Sequence, residues 1–181
     1  RLKIMDLSNS GNQPFRINDC ILICNGEIYN YKELIEKYNF QDSYQSDHND
    51  CEVIIHMYSR FGIERTINEL DGVFAFCLYD QVKNKYYVAR DPIGIRPLFM
   101  AQIDNGWAFA SEMKALTELN PSNIEQFPVG TYFDIFENKF NQFYSFNYQI
   151  LNESEEYFIE KTRDILTEGI RKRIMSDRKI A

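Results

Sequence analysis

The sequence predicts an α+β fold in which antiparallel sheets and helices form layers. Two amphipathic segments at helical spacing lie early in the chain, and several strand-like segments joined by short turns follow them. The 181 residues, 44% of them hydrophobic, are enough for one domain with a substantial core and part of a second. Because hairpins that follow one another build antiparallel sheets, we expect a layered arrangement of sheet and helix.

The first third of the chain contains two predicted strands and two predicted helices. Residues 1–6 alternate apolar and polar side chains, which is typical of an edge strand. An apolar run over residues 20–24 predicts a buried strand that ends at Asn25-Gly26. A helix is predicted over residues 31–38, and a second one from an N-cap at Asp50 to a stop at Gly62.

The middle of the chain is rich in strands. Residues 73–80 are continuously apolar, so this strand is predicted to be buried on both faces. Turn residues separate the remaining segments into hairpins. The other predicted strands cover residues 86–90, 97–101, 107–110, 130–136 and 139–144, and a short helix covers residues 111–116.

The C-terminal segment has a different character. Apolar residues recur at helical spacing from residue 154 to residue 175, and a basic end complements the helix dipole. Residues 177–181 read as the start of a strand. We therefore expect residues 151–181 to open a second domain.

The Asn25-Gly26 pair has two interpretations. Both residues tolerate positive φ, so the pair can form a turn. Alternatively, an Asn side chain and a Gly N–H at the end of a buried strand provide two donors that can converge on developing negative charge. In that case Glu27 is placed to hold a cationic group of the same ligand. The spacing alone does not decide between the two.

Composition excludes several classes of protein. The net charge is −7 and no block of Lys or Arg precedes the C-terminal segment, which argues against nucleic acid as a partner. No apolar run has the length of a membrane span. The four cysteines form no CxxC motif and only two histidines are present, which disfavours a zinc site. We expect reduced core thiols in a cytoplasmic protein.

Several motifs in order resemble the glutaminase domain of class II glutamine amidotransferases. The segments that resemble it are residues 25–30 (NGEIYN), 50–54 (DCEVI), 70–76 (LDGVFAF) and 89–98 (ARDPIGIRPL). Two further segments, 110–116 (ASEMKAL) and 127–130 (FPVG), and the terminal helix running into residues 175–177 (MSD), resemble the asparagine synthetase branch. The resemblance covers essentially the whole chain.

This resemblance implies an Ntn-hydrolase fold, a four-layer αββα sandwich of two antiparallel sheets between helices. It also implies that an N-terminal cysteine attacks the glutamine carboxamide and releases ammonia through a thioester. By motif, the Asn25 side chain and the Gly26 N–H would form the oxyanion hole. Arg1 would hold the α-carboxylate of glutamine, and Glu27 and Asp50 would hold its α-ammonium group.

The resemblance further implies how the chain is divided. Residues 1–150 would be the glutaminase domain without its nucleophile segment, and residues 151–181 the first helix of an α/β synthetase domain. No cofactor or metal is expected in this fragment, whereas ATP and Mg²⁺ are expected for the synthetase domain. The expected partners are glutamine as substrate, the protein's own synthetase domain and a second copy in a homodimer. Because the four cysteines occupy positions that the family does not use for catalysis, we expect the fragment alone to be inactive.

Three hypotheses about function follow. The first is the glutaminase part of an asparagine synthetase, which passes ammonia to an aspartyl-adenylate. The second keeps the fold and changes the acceptor, as in purine, glucosamine-phosphate or β-lactam-synthetase-like amidotransferases. The third is a catalytically inactive Ntn-like module used for binding.

Overall fold

The computed structural model describes residues 4–104 and 106–179, and this part of the chain forms strands and helices in a mixed order. The helices are α1 (Tyr31–Tyr38), α2 (Val53–Glu69), α3 (Lys114–Thr117) and α4 (Glu155–Arg173). The strands are β1 (Phe15–Ile17), β2 (Cys20–Ile28), β3 (Gly72–Asp80), β4 (Lys85–Arg90), β5 (Phe99–Ile103), β6 (Gly106–Ala110), β7 (Ile124–Gln126), β8 (Thr131–Asp134) and β9 (Lys139–Gln142).

The strands form two antiparallel sheets. The larger sheet has six strands in the order β1-β2-β3-β4-β8-β9, and the smaller has three in the order β6-β5-β7. Every neighbouring pair is antiparallel, as the predicted hairpins require. The long β2–β3 pairing runs from Cys20 opposite Asp80 to Ile28 opposite Gly72.

Strand β3 is largely buried on both faces of the six-stranded sheet, as predicted. Phe74 and Phe76 belong to the core shared with α1 and α2. Ala75, between them, belongs to a second core that also contains Met100 and Phe127. Since successive side chains of a strand point to opposite faces, this alternation places helices on one side of the sheet and the three-stranded sheet on the other. Two antiparallel sheets flanked by helices agree with the expected αββα sandwich.

Strand β2 continues through Asn25-Gly26, so the turn interpretation of this pair is wrong. Asn25 lies opposite Ala75 and Gly26 lies opposite Phe74 in the β2–β3 ladder. A Cβ atom at position 26 would lie 2.5 Å from the Val73 carbonyl oxygen. The glycine is therefore needed for the close approach of two strands.

The start of the second helix differs from the prediction, whereas its predicted stop coincides with a kink. The side chain of Asn49, not that of Asp50, caps this region by accepting a hydrogen bond from the Cys51 N–H. A short 3₁₀ turn over Asp50–Glu52 then leads into α2. Gly62, with φ 77° and ψ 176°, leaves the helical conformation at the predicted stop, and a second helical segment follows the kink and ends at Glu69.

At the two ends of the described chain, the predicted C-terminal helix is present, whereas the described residues of the two predicted terminal strands form no strand. Residues 4–6 form no strand, and residues 1–3 of the predicted edge strand lie outside the described residues. The predicted C-terminal helix is confirmed as α4, and Ser154 caps it by accepting a hydrogen bond from the Tyr157 N–H. Residues 177–179 form no strand, and residues 180–181 lie outside the described part. Within the described ranges no helix is long and apolar enough to cross a membrane.

Candidate functional site

A cavity of about 290 Å³ lies where β2 passes the 3₁₀ turn that precedes α2. Four of the five predicted site residues line it, namely Asn25, Gly26, Glu27 and Asp50. Arg1, the fifth, lies outside the described residues. The structure thus brings together side chains from two segments that the sequence analysis assigned to one ligand. The cavity is also lined by Ile4, Met5, Gln13, Cys24, Asn49, Cys51 and Arg96.

The direction of each β2 side chain follows from the strand. Asn25 and Glu27 point to one face, and Cys24 points to the other, toward the helices. The Asn25 amide donates a hydrogen bond from Nδ2 to Ser111 Oγ at 3.4 Å, at the end of β6. The Asn25 side chain and the Gly26 N–H are therefore adjacent donors at the wall of the cavity.

Asp50 is a buried carboxylic acid that is hydrogen-bonded to the backbone of β2. Its Oδ2 atom accepts a hydrogen bond from the Ile28 N–H at 2.7 Å, and the residue is 3% exposed. Burial raises the pKa of Asp50 to about 6, because water no longer stabilises the carboxylate. A cationic group bound in the cavity would favour the ionised form of this side chain.

Arg96 is a site residue that the sequence analysis missed. Its Nη2 atom donates to Glu27 Oε1 at 2.8 Å, and both side chains are mostly buried. Its Nε atom is buried and has no hydrogen-bond partner among the described residues. The only sequence signal was its place in the motif over residues 89–98, which assigned no role to it.

The side chains of Arg90 and Asp91 hold the backbone of the loop that carries Arg96. The Asp91 carboxylate accepts hydrogen bonds from the N–H groups of Gly94, Ile95 and Arg96. The Arg90 guanidinium donates to the carbonyl groups of Gly94 and Arg96. These bonds satisfy the loop backbone and fix the position from which Arg96 reaches Glu27.

The cysteines have the character of core thiols. Cys51 donates from Sγ to the Gly26 carbonyl at 3.4 Å, and it lines the cavity together with Cys24. A hydrogen bond with Cys24 and burial hold the pKa of Cys51 well above its ordinary value. Burial raises the pKa of Cys77 to about 11 and also raises the pKa of Cys20. Because the thiolate is the reactive form, these environments disfavour nucleophilic roles for Cys20, Cys51 and Cys77.

The cavity has the groups that a small zwitterion with a carboxamide requires. Two carboxylates, Glu27 and Asp50, can attract an ammonium group, and the Arg96 guanidinium lies beside them. The Asn25–Gly26 donors lie on the same wall. Within residues 4–104 and 106–179, no group of three His, Cys, Asp or Glu side chains has an arrangement that could hold a metal ion.

Comparison with known proteins agrees with this chemistry. The sequence profile of the glutamine amidotransferase domain matches residues 1–163. Asparagine synthetase B (glutamine-hydrolysing) of Escherichia coli is 35% identical over 98% of this chain and 32% of its own length. A probable asparagine synthetase of Acanthamoeba polyphaga mimivirus is 35% identical over 99% of the chain and 36% of its own length. The chain thus spans about a third of the length of these two relatives.

Solved structures show the same fold. An allosteric regulatory enzyme of purine biosynthesis matches with a TM-score of 0.64 and 26% identity, over 76% of this chain and 32% of that one. Glutamine phosphoribosylpyrophosphate amidotransferase from B. subtilis matches with a TM-score of 0.63 and 26% identity, over 75% of this chain and 32% of that one. These matches and the profile confirm the resemblance found in the sequence: the chain belongs to the glutamine amidotransferase domain family.

Proposed function

We propose that the chain is the glutaminase part of a glutamine-hydrolysing asparagine synthetase. In this proposal the carboxamide of glutamine is hydrolysed to glutamate and ammonia, and the ammonia is passed to an activated aspartate. The observation that carries the proposal is the cavity that brings Asn25, Gly26 and Glu27 of β2 together with Asp50 of the 3₁₀ turn. Relatives that are named glutamine-hydrolysing asparagine synthetases support the choice of acceptor.

We assign a role to each predicted residue on chemical grounds. The Asn25 side chain and the Gly26 N–H would donate to the oxyanion of the tetrahedral intermediate. Asp50, and Glu27 in its pair with Arg96, would attract the α-ammonium group, and Arg1 would bind the α-carboxylate. The nucleophile would be a cysteine thiolate other than Cys20, Cys24, Cys51 and Cys77, since the first three are buried and the pKa of Cys77 is raised to about 11.

The remaining parts of the proposal concern the protein beyond this site. We propose that residues 1–150 form the glutaminase unit and that residues 151–181 open a synthetase domain. Exposed apolar side chains on α4, including Ile165 and Leu166 at 66% and 61%, support a covering partner domain. We assign ATP and Mg²⁺ to that domain, so glutamine hydrolysis itself uses neither of them. A homodimer and a cytoplasmic location complete the proposal, and four free cysteines fit a reducing compartment.

A different acceptor is the alternative, and one observation favours it. Of the two solved structures above, one is a regulatory enzyme of purine biosynthesis and the other is a glutamine phosphoribosylpyrophosphate amidotransferase. Their identity to this chain is 26%, whereas the relatives named asparagine synthetases reach 35% to 43%. The acceptor is therefore assigned from the closer sequence similarity.

The test uses the full gene product that contains this chain. It is incubated with glutamine labelled with ¹⁵N in the side-chain amide, together with aspartate, ATP and Mg²⁺. We expect labelled asparagine and an equal amount of glutamate. Absence of glutamate production would overturn the glutaminase assignment. Glutamate without asparagine would overturn the acceptor and favour the alternative.

A variant ties the activity to the cavity. Asn25→Ala should lower the glutaminase rate by about 10²–10³-fold, since it removes one oxyanion donor. It should leave asparagine formation from added ammonia unchanged, because that step does not use glutamine. Asn152→Ala, at an exposed position, is the matched control and should behave as the wild type.

A further inference from the structure

Gln13 contacts the backbone of β2 at the residue that immediately precedes Asn25. Its Nε2 atom donates to the Cys24 carbonyl at 2.9 Å, and its Oε1 atom accepts from the Cys24 N–H at 2.6 Å. One side-chain amide therefore satisfies both backbone groups of one residue. No role was assigned to Gln13 by the sequence analysis.

This contact continues the β1–β2 ladder by one hydrogen-bonded residue pair. The ladder pairs Ile17 with Cys20 and ends where Phe15 pairs with Leu22. Continuing the antiparallel register by two residues on each strand places Gln13 opposite Cys24. The Gln13 side chain thus supplies the two hydrogen bonds that a strand backbone would supply at this place.

The edge of β2 that Gln13 closes is also the edge that carries the Gly26 N–H. In an antiparallel strand the N–H and C=O groups of every second residue point to the same side. The backbone N–H and C=O groups of Cys24 face Gln13 on this side, and two residues farther the Gly26 carbonyl accepts from Cys51 Sγ. Ile28, two residues farther still, donates to Asp50 Oδ2 on the same side.

Gly26 is therefore held between two residues whose backbone groups bind side chains. Gln13 fixes the strand before it, and Asp50 fixes the strand after it. On the opposite edge, β3 is paired with the whole length of β2. Because Gln13 and Asn25 both line the cavity, and also line a second cavity of about 300 Å³, this contact lies at the site itself.

We propose that Gln13 is a positioning residue for the Asn25–Gly26 donor pair, because its amide fixes the β2 backbone at Cys24 and thereby the direction of both donors. The catalytic part of this inference rests on the proposed glutaminase function. An oxyanion hole stabilises the transition state only when its donors are already oriented, and a displacement of about 1 Å costs about 10²-fold in rate. Gln13 would act through the backbone and would not contact the substrate amide.

The first variant is Gln13→Met, which keeps the length of the side chain and removes both hydrogen bonds. We expect kcat for glutamine hydrolysis to fall by about 10-fold to 100-fold, with KM changed by less than about threefold. Gln81→Met, at an exposed position in the turn between β3 and β4, is the matched control. Thermal unfolding of each variant reports any loss of folded protein separately.

The second variant, Gln13→Glu, separates positioning from a general structural role. An ionised Glu accepts from the Cys24 N–H but repels the Cys24 carbonyl, whereas a protonated Glu can serve both groups as Gln does. The kcat defect of Gln13→Glu should therefore shrink as the pH falls from 8 toward the ordinary Glu range of about 4.3. The defect of Gln13→Met relative to wild type should stay constant over the same range.

Hydrogen exchange of the backbone amides tests the contact without any enzymatic activity. In Gln13→Met the Cys24 amide should exchange at least about 10-fold faster than in the wild type, because it loses its acceptor. Unchanged exchange at Cys24 would overturn the inference, and so would faster exchange with unchanged kcat. If the wild type releases no ammonia, the proposed function and the catalytic role of Gln13 both fail, while the exchange result still decides whether Gln13 holds β2.

Discussion

The Asp50 carboxylate accepts a hydrogen bond from the Ile28 N–H at 2.7 Å, and this bond joins the start of the second helical region to the end of β2. Burial, together with the nearby charge of Glu27, outweighs the backbone hydrogen bonds that favour the carboxylate, which is why the pKa of Asp50 rises to about 6. The bond also places a carboxylate next to Glu27 in the cavity. We expect the protonation of Asp50 to control both ligand binding and the stability of the protein in weakly acidic solution.

Glutamine binding should weaken as the pH falls below about 6. Only the ionised Asp50 attracts an ammonium group, and at one pH unit below the pKa about one tenth of the molecules carry that charge. We expect the dissociation constant of glutamine, measured by titration calorimetry, to rise about 10-fold between pH 7 and pH 5. Asp50→Asn should bind weakly at both pH values and lose this dependence. The exposed Asp47→Asn is the control and should keep the wild-type profile.

Asp50 should affect stability in the opposite direction to binding, so that its contribution to the free energy of unfolding increases as the pH falls. The folded-state pKa of Asp50 is raised above its unfolded value of about 3.8, so its favourable contribution is present below that value. The contribution is lost as the pH rises through about 6. In urea unfolding, the free energy of unfolding of the wild type minus that of Asp50→Asn should therefore decrease between pH 4 and pH 7. A difference that is independent of pH would contradict this assignment.

The Glu27–Arg96 pair should show measurable coupling. Their 2.8 Å contact is largely shielded from water, so removing one partner leaves a partly buried charge. A double-mutant cycle with Glu27→Gln and Arg96→Met should give a coupling free energy of about 1–2 kcal/mol in urea unfolding. The exposed Glu168–Arg171 pair on α4 is the control and should show coupling near the limit of detection. Additive effects at Glu27 and Arg96 would contradict the prediction.

Local periodicity predicted those parts of the fold that depend on neighbouring residues. The helix over residues 31–38 has the predicted bounds, and β3 and β4 form the predicted hairpin. The continuation of β2 through Asn25-Gly26 was not predictable in this way, because it depends on pairing with β3 about 50 residues later in the chain. The three-residue strands β1 and β7 are too short to show a period of two.

The candidate site was predictable where a motif named its residues, and not where the fold creates a contact. Asn25, Gly26, Glu27 and Asp50 were predicted and lie together in one cavity. Arg96 reaches Glu27 across 69 positions only because hydrogen bonds to Asp91 shape its loop. Gln13 binds β2 through its side chain, and no residue pattern distinguishes it from a solvent-exposed glutamine.

The four cysteines should differ in their reaction with iodoacetamide. The pKa of Cys77 is about 11, so at pH 8 its thiolate fraction is about 100-fold lower than that of a thiol at its ordinary value of 9.0. Peptide mass spectrometry after brief alkylation should show slow modification of Cys77 and Cys51 in the folded protein. Both should react at the ordinary rate in urea. Rapid labelling of Cys51 in the folded protein would contradict its assignment as a core thiol.

A side chain at position 26 should disrupt the pairing on which the site depends. In Gly26→Ala the new Cβ atom would meet the Val73 carbonyl oxygen at 2.5 Å and Phe74 Cα at 2.9 Å, and both are backbone atoms that cannot move alone. We expect a loss of about 3 kcal/mol or more in the free energy of unfolding, measured with urea. Gly169→Ala on α4 is the matched control, because its Cβ would meet only the mobile end of Arg173 at 3.3 Å. That substitution should stabilise the helix by about 1 kcal/mol, since Ala favours helix over Gly. If the two substitutions changed the free energy of unfolding equally, the close approach of β2 and β3 at Gly26 would be contradicted.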